Sequence, residues 1–124
     1  MRGRKPTAIS VGSSPVTDIP RPPAWLTKEA KAEWRRIMPD LVERRTLTTP
    51  DMGMVEAYCV SIGRIREIER EIQASGSIDL KLFRAQDAAT KTARQIAAEI
   101  GLTPVSRSRP AVRDSDDDDE LLNI

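Results

Sequence analysis

Residues 49–76 read TPDMGMVEAYCVSIGRIREIEREIQASG, and this stretch predicts one long helix. Thr49 is a suitable N-cap, and Pro50 fits the first helical position because its missing N–H would be unpaired there in any case. Asp51 places a carboxylate in the first turn, where the helix dipole favours negative charge. Gly76 is a suitable stop because glycine tolerates the left-handed conformation that follows a helix.

The apolar side chains of this stretch recur at helical spacing. They fall within an arc of roughly 140°, which is wide enough for a buried face. Glu69 lies within the arc, either as an edge residue that reaches water or as a paired charge at a helix–helix or subunit contact. Gly53 and Gly63 lie off the arc, so we expect them to weaken the helix slightly without affecting its packing. One short partner helix cannot cover the whole stripe. The candidate oligomerisation residues are therefore Val55, Tyr58, Ile62, Ile65, Ile68, Glu69 and Ile72.

Shorter helices are predicted on both sides of the long one. Thr27 caps a first helix over Lys28–Met38, and Pro39 is expected to kink or restart it because proline lacks the N–H that would bond the preceding turn. The third predicted helix runs from about Leu80 to Ile100 and ends at Gly101. Its inner face is predicted to comprise Ala85, Ala88, Ala89, Ala93, Ile96, Ala97 and Ile100.

The composition favours an all-α fold with an aliphatic core. The chain has 124 residues, of which 3% are aromatic and 31% are charged, whereas sheet proteins are rich in aromatic side chains. No apolar run reaches the roughly 20 residues of a membrane span, and residues 1–14 lack the apolar segment of a signal peptide. Because no such run is present, we expect no membrane partner. The single cysteine, Cys59, cannot form an internal disulfide, so we expect a reducing cytoplasm.

Three regions of the chain differ in composition. Residues 1–24 hold five of the nine prolines and four basic side chains, which predicts a flexible basic arm. Residues 25–101 hold the predicted helices and form the helical and oligomerisation core. Residues 102–124 are predicted to be a disordered tail, basic through Arg109 and acidic from Asp114 onward.

The net charge of +1 hides a strong asymmetry. Residues 1–113 carry 20 basic and 13 acidic side chains, a net charge of +7, whereas residues 114–124 carry six acids and no base. A basic body indicates an anionic partner. Lys28, Lys31 and Arg35 form a basic stripe on the first helix, opposite its apolar face. This stripe is either a solvated surface or a surface for a phosphate backbone, and the arm is either passive or a further phosphate contact. The candidate DNA-binding residues are Arg2, Arg4, Lys5, Lys28, Lys31, Arg35, Arg107 and Arg109.

The residue types argue against an enzyme. The chain has no histidine, no phosphate-binding loop of the form Gly-x-x-x-x-Gly-Lys-Ser/Thr and one cysteine. The usual general base, nucleotide loop and zinc ligands are therefore missing. The acidic run lacks the glycine and the ligand spacing of a calcium loop. We expect no catalytic activity, no cofactor and no specific metal site, and we interpret Cys59 as a packed side chain.

Several short motifs occur in an order that resembles a known family. They are Gly3-Arg4-Lys5-Pro6-Thr7, Trp25-Leu26, Glu33-Trp34, Leu47-Thr48, Tyr58-Cys59 and Glu99-Ile100-Gly101-Leu102-Thr103-Pro104. Together they resemble the small terminase subunit of tailed phages with cohesive ends. The resemblance implies a helical subunit in the host cytoplasm that forms a homo-oligomeric ring of roughly eight to ten copies. It also implies that the ring binds double-stranded viral DNA and recruits the large terminase subunit, which supplies the ATPase and nuclease of genome packaging.

Two other interpretations stay open at this stage. A helix-turn-helix transcription regulator is compatible with the short turn at residues 47–49, although a helix of about 26 residues is long for a recognition helix. The second interpretation is an assembly scaffold that does not contact DNA. Co-purification with nucleic acid separates the scaffold from the two DNA-binding classes, and a ring-sized mass separates the terminase subunit from the regulator.

Residues 114–124 combine an acidic run with Leu121, Leu122 and Ile124. This segment could cover the basic body and compete with DNA. Alternatively, its acids could reach a basic patch on the large subunit while the three aliphatic side chains insert into an apolar groove. We favour the second alternative, which makes Leu121, Leu122 and Ile124 the candidate large-subunit docking residues.

Overall fold

The computed structural model describes residues 14–107, and all regular elements within that range are helical. Helix α1 is Lys28–Glu43, α2 is Met52–Ser75 and α3 is Leu80–Glu99. The 3₁₀ turn Thr49–Asp51 precedes α2. This architecture confirms the predicted all-α fold with a long central helix. Within residues 14–107, no helix has the length and apolar character needed to cross a membrane.

Both ends of α2 carry capping residues of the predicted types, but the N-terminal cap, at the 3₁₀ turn that leads into α2, is Thr48 rather than Thr49. The Asp51 carboxylate accepts hydrogen bonds from the backbone N and the Oγ1 of Thr48, both at 2.8 Å. Thr48 is therefore the residue that opens this helical segment, and Thr49 and Pro50 lie inside the 3₁₀ turn. At the other end, Gly76 has φ 65°, which is the left-handed stop that the sequence indicates.

Helix α1 continues past Pro39, where the sequence predicts a kink or a restart. Thr27 caps it as expected, with Oγ1 accepting from the Ala30 N–H at 3.3 Å, but the helix runs through Pro39 to Glu43. Proline costs one backbone hydrogen bond inside a helix. Its neighbours Met38 and Leu41 are fully buried, and their packing holds the helical turn around Pro39 in place.

The core forms around α2, because α1 and α3 both pack against it. Most of its buried side chains are aliphatic, and they come from all three helices and the adjoining loops. They are Leu26, Ala30, Trp34, Ile37, Met38, Leu41, Val42, Leu47, Val55, Tyr58, Cys59, Ala93 and Ile96.

The inner face of α3 is rotated relative to the prediction. Ala85 and Ala88 are exposed rather than buried, whereas Ala93 and Ile96 are buried and Ala89 is half-buried. On this half of α3 a polar side chain makes part of the contact with α2, because Gln86 donates from Nε2 to the Ile65 carbonyl at 3.4 Å and to Glu69 Oε1 at 2.8 Å. Alanine periodicity alone did not reveal a polar contact on that face.

Gly63 also differs from the prediction, because it is buried at the contact between α1 and α2. A Cβ at this position would lie 3.1 Å from the Ala30 backbone N and 3.3 Å from the Ala30 Cβ. The absence of a side chain thus allows the two helices to approach closely. Gly53 has nothing within 4 Å of such a Cβ, which agrees with the expectation that it lies off the packed face.

Residues 14–24 pack on the helices, which differs from a free arm extending to residue 24. The Val16 N–H donates to the Leu47 carbonyl at 2.7 Å, and the Trp34 Nε1–H donates to the Pro20 carbonyl at 2.8 Å. A buried indole N–H needs a partner, and Pro20 supplies its carbonyl because proline retains its acceptor. The predicted flexibility of residues 1–13 lies outside the described residues.

The segment after α3 is also more regular than predicted. Residues 104–107 are helical, and the Thr103 and Ser106 side chains each accept the other's backbone N–H at 3.0 Å. Thr103 therefore caps a new helical turn, in which Pro104 takes the first position, where proline is favoured. Arg44 ties this region to α1 by donating from Nη1 to the Gly101 carbonyl at 2.6 Å. The remainder of the predicted tail, residues 108–124, lies outside the described residues.

Candidate functional site

A carboxylate lies at the centre of the contact between α1 and α2. Glu33 is fully buried, with 0% exposure. The Tyr58 hydroxyl donates to its Oε2 at 2.8 Å, and Arg66 Nη2 donates to its Oε1 at 2.9 Å. Arg36 donates from Nε to Oε1 at 2.9 Å and from Nη2 to Oε2 at 2.5 Å. Both carboxylate oxygens are thus paired with cations and a phenol, as the burial of a charge requires.

These partners keep Glu33 ionised. Burial raises its pKa, but hydrogen bonds from Arg36 and Tyr58 and the charges of Arg36 and Arg66 outweigh burial and lower the pKa below its ordinary value. Burial, together with the bond to Glu33, raises the pKa of the Tyr58 hydroxyl, so that it keeps its proton. Burial likewise raises the pKa of the Cys59 thiol to about 12, which fits a packed and unreactive side chain.

A second carboxylate extends this contact along the helices. Glu29 Oε1 lies 3.8 Å from Arg66 Nη1, and Glu29 Oε2 forms an ion pair with Arg70. Arg66 therefore bridges Glu29 and Glu33. We call Glu29, Glu33, Tyr58, Arg66 and Arg70 the interhelix cluster. Because these contacts join residues on several successive turns of both helices, the cluster favours one alignment of α1 along α2.

Sequence reasoning missed the interhelix cluster. Arg66 and Arg70 lie outside the apolar stripe of α2, which is typical of solvent-facing side chains. One signal could have found the cluster: Glu29 and Glu33 are four residues apart, as are Arg66 and Arg70. Equal spacing of opposite charges on two neighbouring helices predicts a paired contact.

The predicted basic stripe lies on the surface of α1. Lys28 and Arg35 are exposed and Lys31 is half-buried, and none of the three forms an ion pair with another residue of the described range 14–107. Arg107 is exposed and donates from Nη1 to the Leu102 carbonyl at 3.2 Å. The other candidate DNA contacts, Arg2, Arg4, Lys5 and Arg109, lie outside the described residues, as do Leu121, Leu122 and Ile124.

The candidate oligomerisation residues occupy two environments. Val55 and Tyr58 are buried in the core of a single chain, so this conformation leaves them no surface for a neighbouring copy. Ile62 and Ile65 are half-buried and pack against that core. Ile68 and Ile72 are half-buried and lie outside the core cluster. The part of the stripe that stays available to another subunit is therefore its second half.

Glu69 contacts another helix through neutral partners. Gln86 of α3 donates from Nε2 to Oε1 at 2.8 Å, and Gln73 donates from Nε2 to Oε2 at 2.8 Å. Hydrogen bonds from these two side chains lower the pKa of Glu69. Glu69 thus lies at a helix–helix contact, as one of the two interpretations held, but its partners are amides rather than a cation.

Helix α3 carries a second basic surface that the sequence did not single out as a site. We call Lys81, Arg84, Lys91 and Arg94 the α3 basic face, and all four are exposed. Within residues 14–107, none of the four forms an ion pair. The interhelix arginines, in contrast, are neutralised by Glu29 and Glu33. Over the same described range, no group of three or more His, Cys, Asp or Glu side chains is placed to hold a metal ion.

Comparison with known families identifies the class of protein. The family model described as "Phage terminase, small subunit" matches residues 30–117, a range that contains nearly all of α1 and the whole of α2 and α3. Because the match spans most of the chain, the chain belongs to the phage terminase small-subunit family. This confirms the resemblance drawn from the sequence motifs. No curated protein and no solved structure matched the chain.

Proposed function

We propose that this protein is the DNA-binding adaptor of a phage packaging complex in the host cytoplasm. As a homo-oligomeric ring it binds double-stranded viral DNA and recruits the large terminase subunit, which supplies the ATPase and nuclease. The adaptor itself has no catalytic role and needs no cofactor. The observation that carries this proposal is the family match over residues 30–117, a range that includes most of the exposed basic side chains on the helices.

The distribution of paired and unpaired charges supports phosphate binding. Arg36, Arg66 and Arg70 are held by buried or half-buried carboxylates. The basic stripe on α1 makes no such pair with the described residues, so its cations are available to phosphates. We assign the first contact with the DNA backbone to Lys28, Lys31 and Arg35, with the arm as a second contact.

The placement of α2 argues against the helix-turn-helix alternative. A recognition helix presents one face to the major groove. Both sides of α2 are covered, by α1 and by α3, and its exposed residues include Glu67 and Glu71 beside Arg64. Two carboxylates on that face would be repelled by the phosphates on either side of the groove.

We expect the triple variant Lys28→Ala, Lys31→Ala and Arg35→Ala to bind random duplex DNA more weakly. Each lost phosphate contact removes counterion release, so the slope of log affinity against log salt should become shallower by about 2.7. Fluorescence anisotropy with a labelled duplex between roughly 50 and 200 mM salt measures both affinity and slope.

A matched control removes the same charge from another surface. The variant Arg84→Ala, Lys91→Ala and Arg94→Ala also loses three exposed cations. Its slope of log affinity against log salt should remain steeper than the slope of the α1 variant. A deletion of residues 1–13 tests the arm without disturbing the Trp34 contact to Pro20. Loss of binding in that deletion, with unchanged binding in the α1 variant, would show that the arm is the DNA site and that our helix assignment is wrong.

We expect light scattering at micromolar concentration to give a ring of roughly eight to ten copies. The copy range rests on the family resemblance, and closed symmetry is the general expectation for soluble oligomers. The chain mass of 13.8 kDa makes this easy to distinguish from a monomer or dimer. Ile68→Asp should reduce the mass, because in the ring it would place an unpaired carboxylate at a subunit contact on the half of the α2 stripe outside the core. Ala74→Asp, on an exposed position of the same helix, is the control. A monomer mass for the unmodified protein would refute the ring.

A further inference from the structure

The α3 basic face is a track of two cation pairs, Lys81 with Arg84 and Lys91 with Arg94, along one side of the helix. At 100° and 1.5 Å per residue, Lys81, Arg84, Lys91 and Arg94 lie within an arc of about 140° along roughly 20 Å of helix. Between Lys81 and Arg94, Asp87 is the one acidic side chain in this arc, and Glu99 lies at the edge of the arc beyond Arg94. Exposed cations at this density attract a polyanion, and no described carboxylate on another element pairs with them.

An apolar patch lies at one end of this track. Ile78 is 77% exposed and lies in the turn between α2 and α3, and Leu80, the first residue of α3, is 59% exposed. We call Ile78 and Leu80 the hairpin tip. Two large aliphatic side chains this exposed, next to one end of a basic track, suit a ligand that carries both acidic and aliphatic groups.

Residues 114–124 of the same chain have this composition in the matching order. The described chain reaches Arg107 at the opposite end of α3 from the hairpin tip. From there, six acids between Asp114 and Glu120 come first, followed by Leu121, Leu122 and Ile124. A segment that runs back along α3 would therefore meet the cations first and the hairpin tip last.

The lengths agree with this path. Helix α3 has 20 residues and is about 30 Å long, whereas the chain from residue 107 to residue 121 can extend to about 46 Å. Residues 114–120 extend to about 23 Å, close to the roughly 20 Å of the basic track. We infer that residues 114–124 dock in the same subunit along α3, with the acids on the α3 basic face and the aliphatic side chains on the hairpin tip.

The basic stripe on α1 fits this segment less well. Its three cations span only about 10 Å of helix, and Lys31 is half-buried. Fewer than half of the seven residues from 114 to 120 could lie over it. The inference stands apart from the DNA-binding proposal, because it concerns a contact within one chain and its test contains no DNA.

Zero-length carbodiimide crosslinking of the full chain tests the inference directly, since it joins a carboxylate to a lysine in contact with it. Each surface supplies two lysines: Lys81 and Lys91 on α3, and Lys28 and Lys31 on α1. We expect peptides from residues 114–120 to be joined to the α3 lysines about fivefold more often than to the α1 lysines. The preference should vanish near 1 M salt, where the screening length is about 3 Å. Equal yields at all four lysines, or a preference for α1, would overturn the inference.

Two further measurements sharpen the outcome. The pair Arg84→Gln and Arg94→Gln keeps both reporter lysines and should lower the α3 yield severalfold, whereas the control pair Arg35→Gln and Arg64→Gln removes two exposed arginines elsewhere and should not. Heavy and light isotopic chains that are unfolded, mixed and refolded together before crosslinking share the same oligomers, and they identify the partner. Crosslinks that join heavy to light chains would overturn docking within one subunit, and crosslinks confined to a single isotope support it.

Discussion

Replacing Glu33 with glutamine should lower the free energy of unfolding by about 2–3 kcal/mol at neutral pH. The variant keeps the shape of the side chain but removes the buried charge that accepts from Arg36, Tyr58 and Arg66. Breaking a buried ion pair costs about 3–5 kcal/mol when the remaining charge stays buried. Here Arg36 and Arg66 keep 62% and 40% side-chain exposure, so water can solvate them and the cost falls below that range.

Glu29 provides the matched control for this variant. It lies one turn earlier on the same helix and shares Arg66, but its side chain is 19% exposed. We therefore expect Glu29→Gln to cost about 0.5–1 kcal/mol, as is usual for accessible ion pairs. Urea denaturation of both variants and the unmodified chain measures the difference. Equal costs for the two variants would contradict the central role of Glu33.

The pH dependence of stability gives an independent check. The folded-state pKa of Glu33 lies below the ordinary value of 4.5, so its contribution is complete well above that pH and is lost as the pH falls through it. The difference in unfolding free energy between the unmodified chain and Glu33→Gln should therefore shrink between about pH 6 and pH 3. A difference that stays constant over this interval would show that the loss comes from packing rather than from charge.

The fold could be predicted from the sequence wherever a local signal determines it. Thr27, Pro50, Gly76 and Gly101 mark helix ends, and apolar spacing identifies α2 as the central helix. Features that depend on contacts between distant residues were missed. The close approach at Gly63 depends on Ala30 of another helix, and the packing of residues 14–24 depends on a carbonyl that satisfies Trp34.

The candidate site shows the same division. Exposed cations on α1 were predictable because a stripe opposite an apolar face is a local pattern. The interhelix cluster was not found, since Arg66 is indistinguishable from a solvated arginine until Glu33 is known to face it. The sequence also did not show which half of the α2 apolar stripe is available to another subunit. Burial of Val55 and Tyr58 depends on how α1 and α3 pack against α2.

Replacing Leu121, Leu122 and Ile124 with serine should abolish detectable capture of the large terminase subunit. This follows from the proposal that the acids steer the segment to a basic patch and the aliphatic side chains insert into an apolar groove. Burying each of these side chains contributes about 1.5–3 kcal/mol, so loss of all three removes most of the binding free energy of a short segment. A pull-down with purified large subunit, with ring mass checked by light scattering, measures the effect. Undiminished capture by an intact ring would refute the docking role of the three residues.

Removing positive charge from the α3 basic face should increase capture of the large subunit in the same pull-down. If residues 114–124 dock on α3, only the undocked fraction can bind the large subunit, and the apparent affinity is reduced by that fraction. The pair Arg84→Gln and Arg94→Gln should then tighten capture severalfold, while the pair Arg35→Gln and Arg64→Gln leaves it unchanged. Weaker capture by the α3 pair would instead mean that the large subunit contacts α3 itself. Because the serine variant and the α3 pair shift capture in opposite directions, a general loss of folding cannot produce both results.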